Sequence, residues 1–376
     1  MVRRNRPSLT LTVLGLEPGS AGSGSGRPAW SWPPGLASEQ ALPGLLAGRF
    51  EPGPTPSQEI DDCHRDDPDR RALAAAGLDE QTDALERALG DWLLAGGDRE
   101  GFERQLAEWR RQGYARLLAF DPVHLKAETD HAITFGPRFL ALDPADLDDL
   151  LTALNEWLSG DGMRAERIGG QVYLLAACRE DGVGPAAAHL SRAGAPLACL
   201  LNRNAGVFID EQRSEPVLRQ WLTELQMWLY PQPLNDKRAA RGQPILSSFW
   251  PHGIRTIPER LPAPREPEAM LITDSPALLA RVDRAVAWPV DEEAIAEAVH
   301  AGRRLHVVVT ETGWCRLEGD LGGFQQELQR IDAWLAGIRS SLPRMPIELD
   351  DGQGGRWRPR PLWQRLLARL SGGRRA

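Results

Sequence analysis

Acidic side chains just beyond an aliphatic run could bind a metal ion. The run at 305–310 is followed by Glu311, Glu318 and Asp320, and α/β proteins gather their ligands beyond the carboxyl ends of strands. Carboxylates placed there can hold a hard cation, although acids are also common as helix caps at such positions. Both interpretations stay open, and the spacing alone favours capping.

A histidine follows another predicted strand. His124 lies in the segment 121–125, Asp-Pro-Val-His-Leu, directly after a strand expected at 115–120. An imidazole at a strand end could act as an acid, a base or a metal ligand. Because no partner stands at ligand spacing, a structural histidine is favoured.

Two further segments have suggestive compositions but unsuitable spacing. Residues 61–67 read Asp-Asp-Cys-His-Arg-Asp-Asp, and ligands this contiguous do not usually converge on one ion. The glycines of 19–26 suggest a phosphate loop, but Pro28 intervenes and no amphipathic helix begins directly after them. We expect solvated loops at both places.

The segment 221–253 has the most informative pattern. A helix predicted from the apolar positions of 217–228 ends at Tyr230-Pro231, and Asn235 and Arg238 follow Pro233 before a turn that closes on Gly253. An amide and a guanidinium so placed could bind a phosphate or a carboxylate, and a structural corner with a paired Arg is the alternative. The candidate anion-binding residues are Asn235, Arg238, Ser247, Trp250 and His252.

Composition limits the class of protein that carries these residues. The chain has 376 residues, of which 42% are hydrophobic and 26% charged, and its net charge is −8. No apolar run approaches the ~20 residues of a membrane-spanning helix, and the acidity argues against a nucleic-acid-binding protein. Four widely spaced cysteines favour reduced thiols and a cytoplasmic location. The alternation of Thr and aliphatic residues at 9–14 favours a strand over a signal peptide.

Hydrophobic periodicity predicts an α/β fold with helices flanking a layered sheet. Strands are expected near 9–14, 172–176, 269–273 and 305–310, with helices between them. Helical periodicity begins near Arg70, and Asp143-Pro144 marks a further helix start. We divide the chain into a strand with a Gly/Pro/Ser-rich loop at 1–58, an α/β body at 59–342 with an inserted helical or α+β subdomain around 115–215, and a basic tail at 343–376.

The tail is rich in arginine and in apolar residues. From Gly352 onward there are seven Arg and no acid, interleaved with Trp and Leu. Such a segment could contact anionic lipid peripherally, dock on an acidic partner, or pack its apolar stripe on its own domain. These three alternatives stay open.

The order of motifs at 233–253 resembles the archaeal-type, cofactor-independent phosphoglycerate mutases. The shared pattern is P-x-N-x-x-R, then Gly and Pro, then a Trp-containing turn that ends on Gly. A closer resemblance is to a bacterial family of RpfE-type regulatory proteins, in which Gln-Met, here Gln226-Met227, and a D-P-V-H-L run also occur. The resemblance covers about 115–342, and it implies an alkaline-phosphatase-like α/β fold.

This chain departs from the mutase pattern at the metal ligands. The first strand of a mutase ends in a metal-binding Asp, whereas the run at 11–16 here continues into Glu17-Pro18-Gly19. The late Asp-rich, His-bearing motif is reduced to its final Gly319-Asp320. In the Trp turn, His252 and Ser247 stand where the families carry Trp and Asn.

Two hypotheses follow from the resemblance and its departures. Two-metal phosphoryl transfer needs both ions, so we expect a catalytically degenerate, cofactor-free protein that regulates or scaffolds through a protein partner and retains at most an anion pocket for a small phosphorylated ligand. The alternative is an active phosphomutase or phosphatase with Mn or Zn at a rearranged site drawn from Glu311, Glu318, Asp320, His124 or His252.

Overall fold

The computed structural model describes residues 8–14, 17–18, 30–31, 50–52, 67–78, 82–127, 132–177, 195–202, 216–350 and 356–359. The chain divides into two compact units. Unit 1 consists of 1–80 and 265–376, and unit 2 is the continuous segment 81–264. The insertion predicted around 115–215 lies inside unit 2.

A seven-stranded sheet forms the centre of unit 1, in the order β11-β10-β12-β1-β13-β14-β4. The first five strands in this order are parallel, β14 pairs antiparallel with β13, and β4 pairs antiparallel with β14. The strands of unit 1, including the separate antiparallel pair β2–β3, are β1 (Leu9–Val13), β2 (Glu17–Pro18), β3 (Trp30–Ser31), β4 (Phe50–Pro52), β10 (Met270–Thr273), β11 (Val286–Ala287), β12 (Leu305–Val309), β13 (Ile347–Asp350) and β14 (Arg356–Pro359).

Helices cover both faces of this sheet, as a parallel sheet requires. The helices of unit 1 are α1 (Pro68–Ala75), α9 (Pro276–Arg281), α10 (Glu292–His300), α11 (Glu311–Glu318) and α12 (Leu321–Ser341). The odd-numbered residues of β1, β12 and β13 pack with α10 and α12 in one apolar core. On the opposite face, Leu271 and Val308 pack with Leu73 of α1 and Leu278 of α9.

Unit 2 is built on an antiparallel sheet around one long strand. The strand β5 pairs antiparallel with β6, β8 and β9, and β7 extends the sheet beyond β8. These strands are β5 (Tyr114–Ala127), β6 (Ala132–Phe135), β7 (Met163–Ile168), β8 (Gln171–Ala177) and β9 (Ser248–Thr256). The helices are α2 (Ala84–Leu94), α3 (Arg99–Arg111), α4 (Pro137–Leu140), α5 (Pro144–Leu158), α6 (Leu197–Leu200), α7 (Pro216–Leu229) and α8 (Pro233–Ala240).

Two glycines let α2 approach this sheet closely. Gly253 in β9 has a φ of 64°, and a Cβ atom there would lie 3.1 Å from the backbone nitrogen of Ala84 at the start of α2. Gly169 has a φ of 60°, and its Cβ would lie 3.0 Å from the carbonyl oxygen of Asp91. Left-handed backbone favours glycine. Glycine at both positions therefore allows α2 to pack directly against the strands.

The predicted α/β class, a layered sheet with flanking helices plus a helical or α+β insertion, is confirmed, and the sheet of the second unit is antiparallel. The strands expected near 9–14, 172–176, 269–273 and 305–310 are present as β1, β8, β10 and β12. Asp143 caps α5 as predicted, its side chain accepting from the Ala145 nitrogen with Pro144 in the first turn. The strand expected at 115–120 extends to Ala127. The predicted loop at 61–66 and the tail beyond Pro359 lie outside the described residues.

Within the described part of the chain, no helix is long and apolar enough to cross a bilayer.

We predict that Gly253→Ala destabilises unit 2 more than Gly242→Ala does. Both glycines have left-handed φ angles, 64° and 66°, and left-handed backbone costs an L-residue about 1–2 kcal/mol. Only Gly253 lies against another backbone, because Gly242 has nothing within 4 Å of its Cβ position. Urea unfolding of the two variants measures the difference. Equal losses would show that the contact with Ala84 does not hold α2.

Candidate functional site

The carboxyl edge of the parallel sheet in unit 1 is the first place to look for a site. The strands β1, β10 and β12 run in the same direction, so Leu14, Asp274 and Thr310, the first residue after each, lie at the same edge. Helix α11 begins there with Glu311. Leu14 is fully buried, so the first strand places an apolar side chain at this edge.

Asp274 is the most constrained polar residue of this edge. Its Oδ1 accepts hydrogen bonds from the Thr310 nitrogen at 2.7 Å and from Thr310 Oγ1 at 2.8 Å. Its Oδ2 accepts from the Glu311 nitrogen at 3.0 Å. A carboxylate at a helix N-terminus satisfies amides that have no partner within the helix. Asp274, the residue after β10, therefore caps α11, which follows the neighbouring strand β12.

Burial raises the pKa of the Asp274 carboxyl to about 7, and the neighbouring Glu311 carboxylate adds to the rise. The three hydrogen bonds from Thr310 and Glu311 act in the opposite direction without cancelling the effect of burial. The folded state thus binds this proton more tightly than the unfolded chain does. The contribution of Asp274 to stability is present below about pH 4 and is lost as the pH rises through 7.

Two more carboxylates belong to the same part of unit 1. Asp67 caps α1 by accepting from the nitrogens of Asp69 and Arg70. Asp69 is buried, and its Oδ1 accepts a hydrogen bond from Ser275 Oγ at 2.7 Å. Ser275 in turn caps α9. These acids and hydroxyls all hold helix starts in place.

The predicted metal-binding acids of unit 1 are separated from one another. Glu311 and Glu318 are the first and last residues of α11, which puts their backbones about 10 Å apart along the helix axis. Asp320 caps α12 by accepting from the Gly323 nitrogen at 2.8 Å. In the part of the chain that the structure describes, no three His, Cys, Asp or Glu side chains form a group suited to a metal ion.

In unit 2, two of the sequence motifs meet in a buried ionic cluster. His252 Nε2 lies 2.7 Å from Asp121 Oδ2, and Arg87 Nη1 lies 3.3 Å from the same oxygen and 3.0 Å from the imidazole nitrogen. We assign the proton of the neutral His252 ring to Nε2, because only that tautomer can donate to Asp121. The structure therefore joins the D-P-V-H-L run to the Trp turn through Asp121 and His252.

The charges of this cluster shift two pKa values. Burial would raise the pKa of Asp121, but the Arg87 charge and the hydrogen bond from His252 outweigh it and lower that pKa well below its usual range. Burial lowers the pKa of His252 despite the attraction of Asp121. Asp121 is 1% exposed, and its Oδ1 has no hydrogen-bond partner. The cluster is an ion pair with a neutral histidine.

A buried tyrosine extends the polar layer between α2 and the sheet. Tyr173 Oη donates to Asp91 Oδ2. Burial raises the pKa of Tyr173 well above its usual value, and the Asp91 charge adds to that rise. The hydroxyl therefore stays protonated as the donor to Asp91.

The other predicted residues of unit 2 have structural contacts. His124 Nδ1 lies 2.8 Å from the Ile245 carbonyl oxygen and 3.3 Å from Ser247 Oγ, and Ser247 Oγ also accepts from the Leu125 nitrogen. Trp250 Nε1 donates to the Ala195 carbonyl oxygen. His124 and Ser247, drawn from two different predicted sites, thus contact each other.

Asn235 and Arg238 form a corner between α7, α8 and β9. The Asn235 amide donates to the carbonyl oxygens of Leu229 and Leu246 and accepts from the Leu246 nitrogen. Arg238 donates to the carbonyl oxygens of Pro244 and Leu140. Both side chains are 3% exposed. These contacts give the three-residue spacing of Asn235 and Arg238 a structural role. Binding of an anion by the two residues stays a prediction.

Sequence reasoning missed Asp274, Arg87, Asp91 and Tyr173. A signal existed for Asp274, because Thr-Asp-Ser-Pro directly follows a predicted strand and combines a strand end with a helix cap. Arg87 and Asp91 stand four apart on the predicted helix, which places both on one face. Nothing in the sequence identified Tyr173 as their neighbour.

No family model matches this chain, and no curated protein matches it. Similar solved structures include the PH0037 protein from Pyrococcus horikoshii, with 14% identity, a TM-score of 0.40, and coverage of 94% of this chain and 86% of that one. A cofactor-independent phosphoglycerate mutase from Thermoplasma acidophilum has 13% identity, a TM-score of 0.31, and coverage of 94% and 89%. TM-scores this low do not establish a shared topology.

We predict that His252→Gln reduces the acid sensitivity of unit 2. The folded-state pKa of His252 is lowered, so the unfolded chain binds more protons and stability falls as the pH drops below about 6.5. One such group contributes up to about 1.4 kcal/mol per pH unit. Glutamine keeps a donor for Asp121 but does not titrate.

Urea unfolding at pH 7.5 and 5.5 measures this effect. The wild type should lose more stability between the two pH values than His252→Gln does. His300→Gln, which removes an exposed imidazole, should behave as the wild type. If His252→Gln loses as much stability as the wild type, the buried cluster does not set the acid sensitivity.

Proposed function

We propose that this chain is a phosphoglycerate-mutase-like protein that has lost two-metal phosphoryl transfer and acts in the cytoplasm as a regulatory or scaffolding factor, of the RpfE type, through protein contacts. The proposal rests first on the sequence resemblance at 115–342 and its missing ligands. The contacts at the carboxyl edge of the parallel sheet support the loss of catalysis, and the surface of α7 supports a role in contacts.

The loss of two-metal phosphoryl transfer is supported mainly by the hydrogen bonds of Asp274. Both carboxylate oxygens accept hydrogen bonds from Thr310 and Glu311, and Asp69 is held by Ser275. Ligands of a catalytic metal need oxygen lone pairs directed at the ion. Asp274 is directed at the start of α11 and Asp67 at the start of α1, and the residue that follows the first strand is the apolar Leu14.

The role in protein contacts is supported by exposed apolar residues at the end of α7. Met227 is 70% exposed and Tyr230 is 74% exposed. Met227 lies in the last turn of α7, and Tyr230 directly follows the end of the helix. Trp228 between them packs partly into the core of unit 2 and stacks on Trp157. Aromatic residues and methionine are enriched in protein interfaces, so this end of α7 suits a protein partner.

One observation favours the alternative of an active, metal-dependent phosphomutase or phosphatase. The Glu311 carboxylate helps to raise the pKa of Asp274, and a bound cation relieves such repulsion between neighbouring acids. Mn or Zn at this pair would then restore a rearranged site. The two proposals differ in metal content and in turnover, which are both measurable.

We predict that the purified protein of residues 1–376, dialysed against Mn and Zn, retains less than stoichiometric metal and does not turn over 3-phosphoglycerate or p-nitrophenyl phosphate. An active mutase assayed in parallel serves as the positive control. Asp274→Ala should cost stability, because it removes three hydrogen bonds worth about 1 kcal/mol each, and should leave metal content unchanged. Stoichiometric metal with turnover, both lost in Asp274→Ala, would establish the alternative.

We also predict a position-specific contact at the end of α7. A photo-crosslinking amino acid at Met227 should give a discrete protein adduct in cells, whereas the same group at Thr223, exposed on the same helix, should not. Adding Tyr230→Lys should abolish the adduct while changing the free energy of unfolding by less than about 0.5 kcal/mol. Equal labelling at 223 and 227 would contradict a specific surface there.

A further inference from the structure

The strand β7 lies at one end of the antiparallel sheet of unit 2. It pairs with β8 along one side, and among the described strands it has no partner along the other. Backbone groups on the open side of an edge strand can pair with another chain, so proteins usually cover or block such edges. What covers the open side of β7 therefore decides whether unit 2 can add a further strand.

A side chain of α5 occupies the middle of this edge. Asn155 Oδ1 accepts a hydrogen bond from the Ala165 nitrogen at 2.7 Å, and Asn155 Nδ2 donates to the Ala165 carbonyl oxygen at 2.9 Å. In an antiparallel sheet, two directly opposed residues exchange the same two bonds with each other. The Asn155 amide thus takes the place that a residue of an added strand would have.

The register of β7 on β8 agrees with this arrangement. Successive residues of a strand direct their backbone groups to alternate sides. Ala165 lies opposite Leu174, and both of its backbone groups bond to Asn155. The amides of Arg164 and Glu166 are then the ones that face β8, and the groups of Ala165 point to the open side.

A second contact holds α5 along the same edge. Arg167 Nε and Nη2 donate to Asp148 Oδ1 and Oδ2, both at 2.8 Å. Asp148 and Asn155 are seven positions apart, or about two helical turns, and so lie on one side of α5. Leu151 and Leu154 of α5 pack in the core of unit 2. The packing of the helix therefore fixes the direction in which Asn155 points.

The blocked position can be reached from outside the sheet. A cleft of about 670 Å³ opens beside the start of β7, with Thr152, Asn155, Met163 and Arg164 among its lining residues. The contact between Asn155 and Ala165 lies at the wall of this cleft, where another strand could approach.

We propose that Asn155 is an autoinhibitory contact that keeps the edge of β7 closed, and that its removal lets β7 pair with β7 of a second copy of this chain. Ala165 is 2% exposed, so loss of the Asn155 amide leaves a buried donor and a buried acceptor without partners, which is unfavourable. An identical strand, related by a two-fold axis, supplies both partners in antiparallel pairing. The inference uses contacts within unit 2 and does not depend on the proposed function.

Sedimentation velocity of the purified protein of residues 1–376 tests the proposal. Asn155→Leu, which is nearly equal in size, should associate about tenfold more strongly than the wild type, because pairing no longer competes with the two side-chain hydrogen bonds. Thr152→Leu puts the same apolar side chain at an exposed position of the same cleft and should associate as the wild type does. Asn155→Ala removes the amide without adding bulk, and its association decides the test if Asn155→Leu unfolds.

Hydrogen exchange distinguishes strand pairing from non-specific association. In the dilute Asn155→Leu variant the Ala165 amide should exchange faster than in the wild type, and it should regain protection as the protein concentration rises. The Glu166 amide, which faces β8, should stay protected throughout. Adding Ala165→Pro, which removes the outward N–H as edge strands tolerate, should abolish the association.

Two results would overturn the proposal. One is association of Asn155→Leu and Asn155→Ala no stronger than that of the wild type or of Thr152→Leu. The other is association that leaves the Ala165 amide in fast exchange, since the two copies would then meet elsewhere. If Ala165→Pro unfolds the protein, the exchange of the Ala165 amide decides between the outcomes.

Discussion

The parallel pairing of β1 with β12 and β13 is the constraint on which unit 1 depends. It places a strand from the beginning of the chain between two strands from its end. The same pairing gathers Leu14, Asp274 and Thr310 at one edge and directs the odd-numbered residues of three strands into one core. The carboxyl edge and the apolar core are consequences of one register.

This register also gives the carboxyl edge of the sheet a structural role that needs no bound ligand. The start of α11 needs an acceptor, and Asp274 supplies one from the neighbouring strand. Asp274 therefore has a structural role at this edge, whether or not the edge binds a ligand. The proposal of a non-catalytic, phosphoglycerate-mutase-like protein depends on this distinction between an acid that binds a ligand and an acid that caps a helix.

The sequence predicts the elements of this protein better than their contacts. The strands β1, β8, β10 and β12 and the Asp143 cap are local features, set by alternation and by capping residues within a few positions. The contact of Asp121 with His252, 131 positions away, depends on which strand lies beside β5, and no local pattern encodes that. The spacing of Asn235 and Arg238 marks both residues as candidates for an anion site. It does not tell whether they face a ligand or the carbonyl oxygens of a corner, because that depends on their placement in three dimensions. The raised pKa of Asp274 likewise depends on burial that only the assembled edge creates.

The position of unit 2 in the chain has a consequence for biosynthesis. Thr12 and His306, which contact each other across β1 and β12, are 294 positions apart, and the whole of unit 2 is translated between them. Unit 2 is continuous, so its strands can all pair before β12 leaves the ribosome. The first strand of unit 1 must wait for its partners during that time, and its aliphatic residues are exposed until they arrive. The order of synthesis thus leaves β1 without its partner strands β12 and β13 until the last part of unit 1 is made.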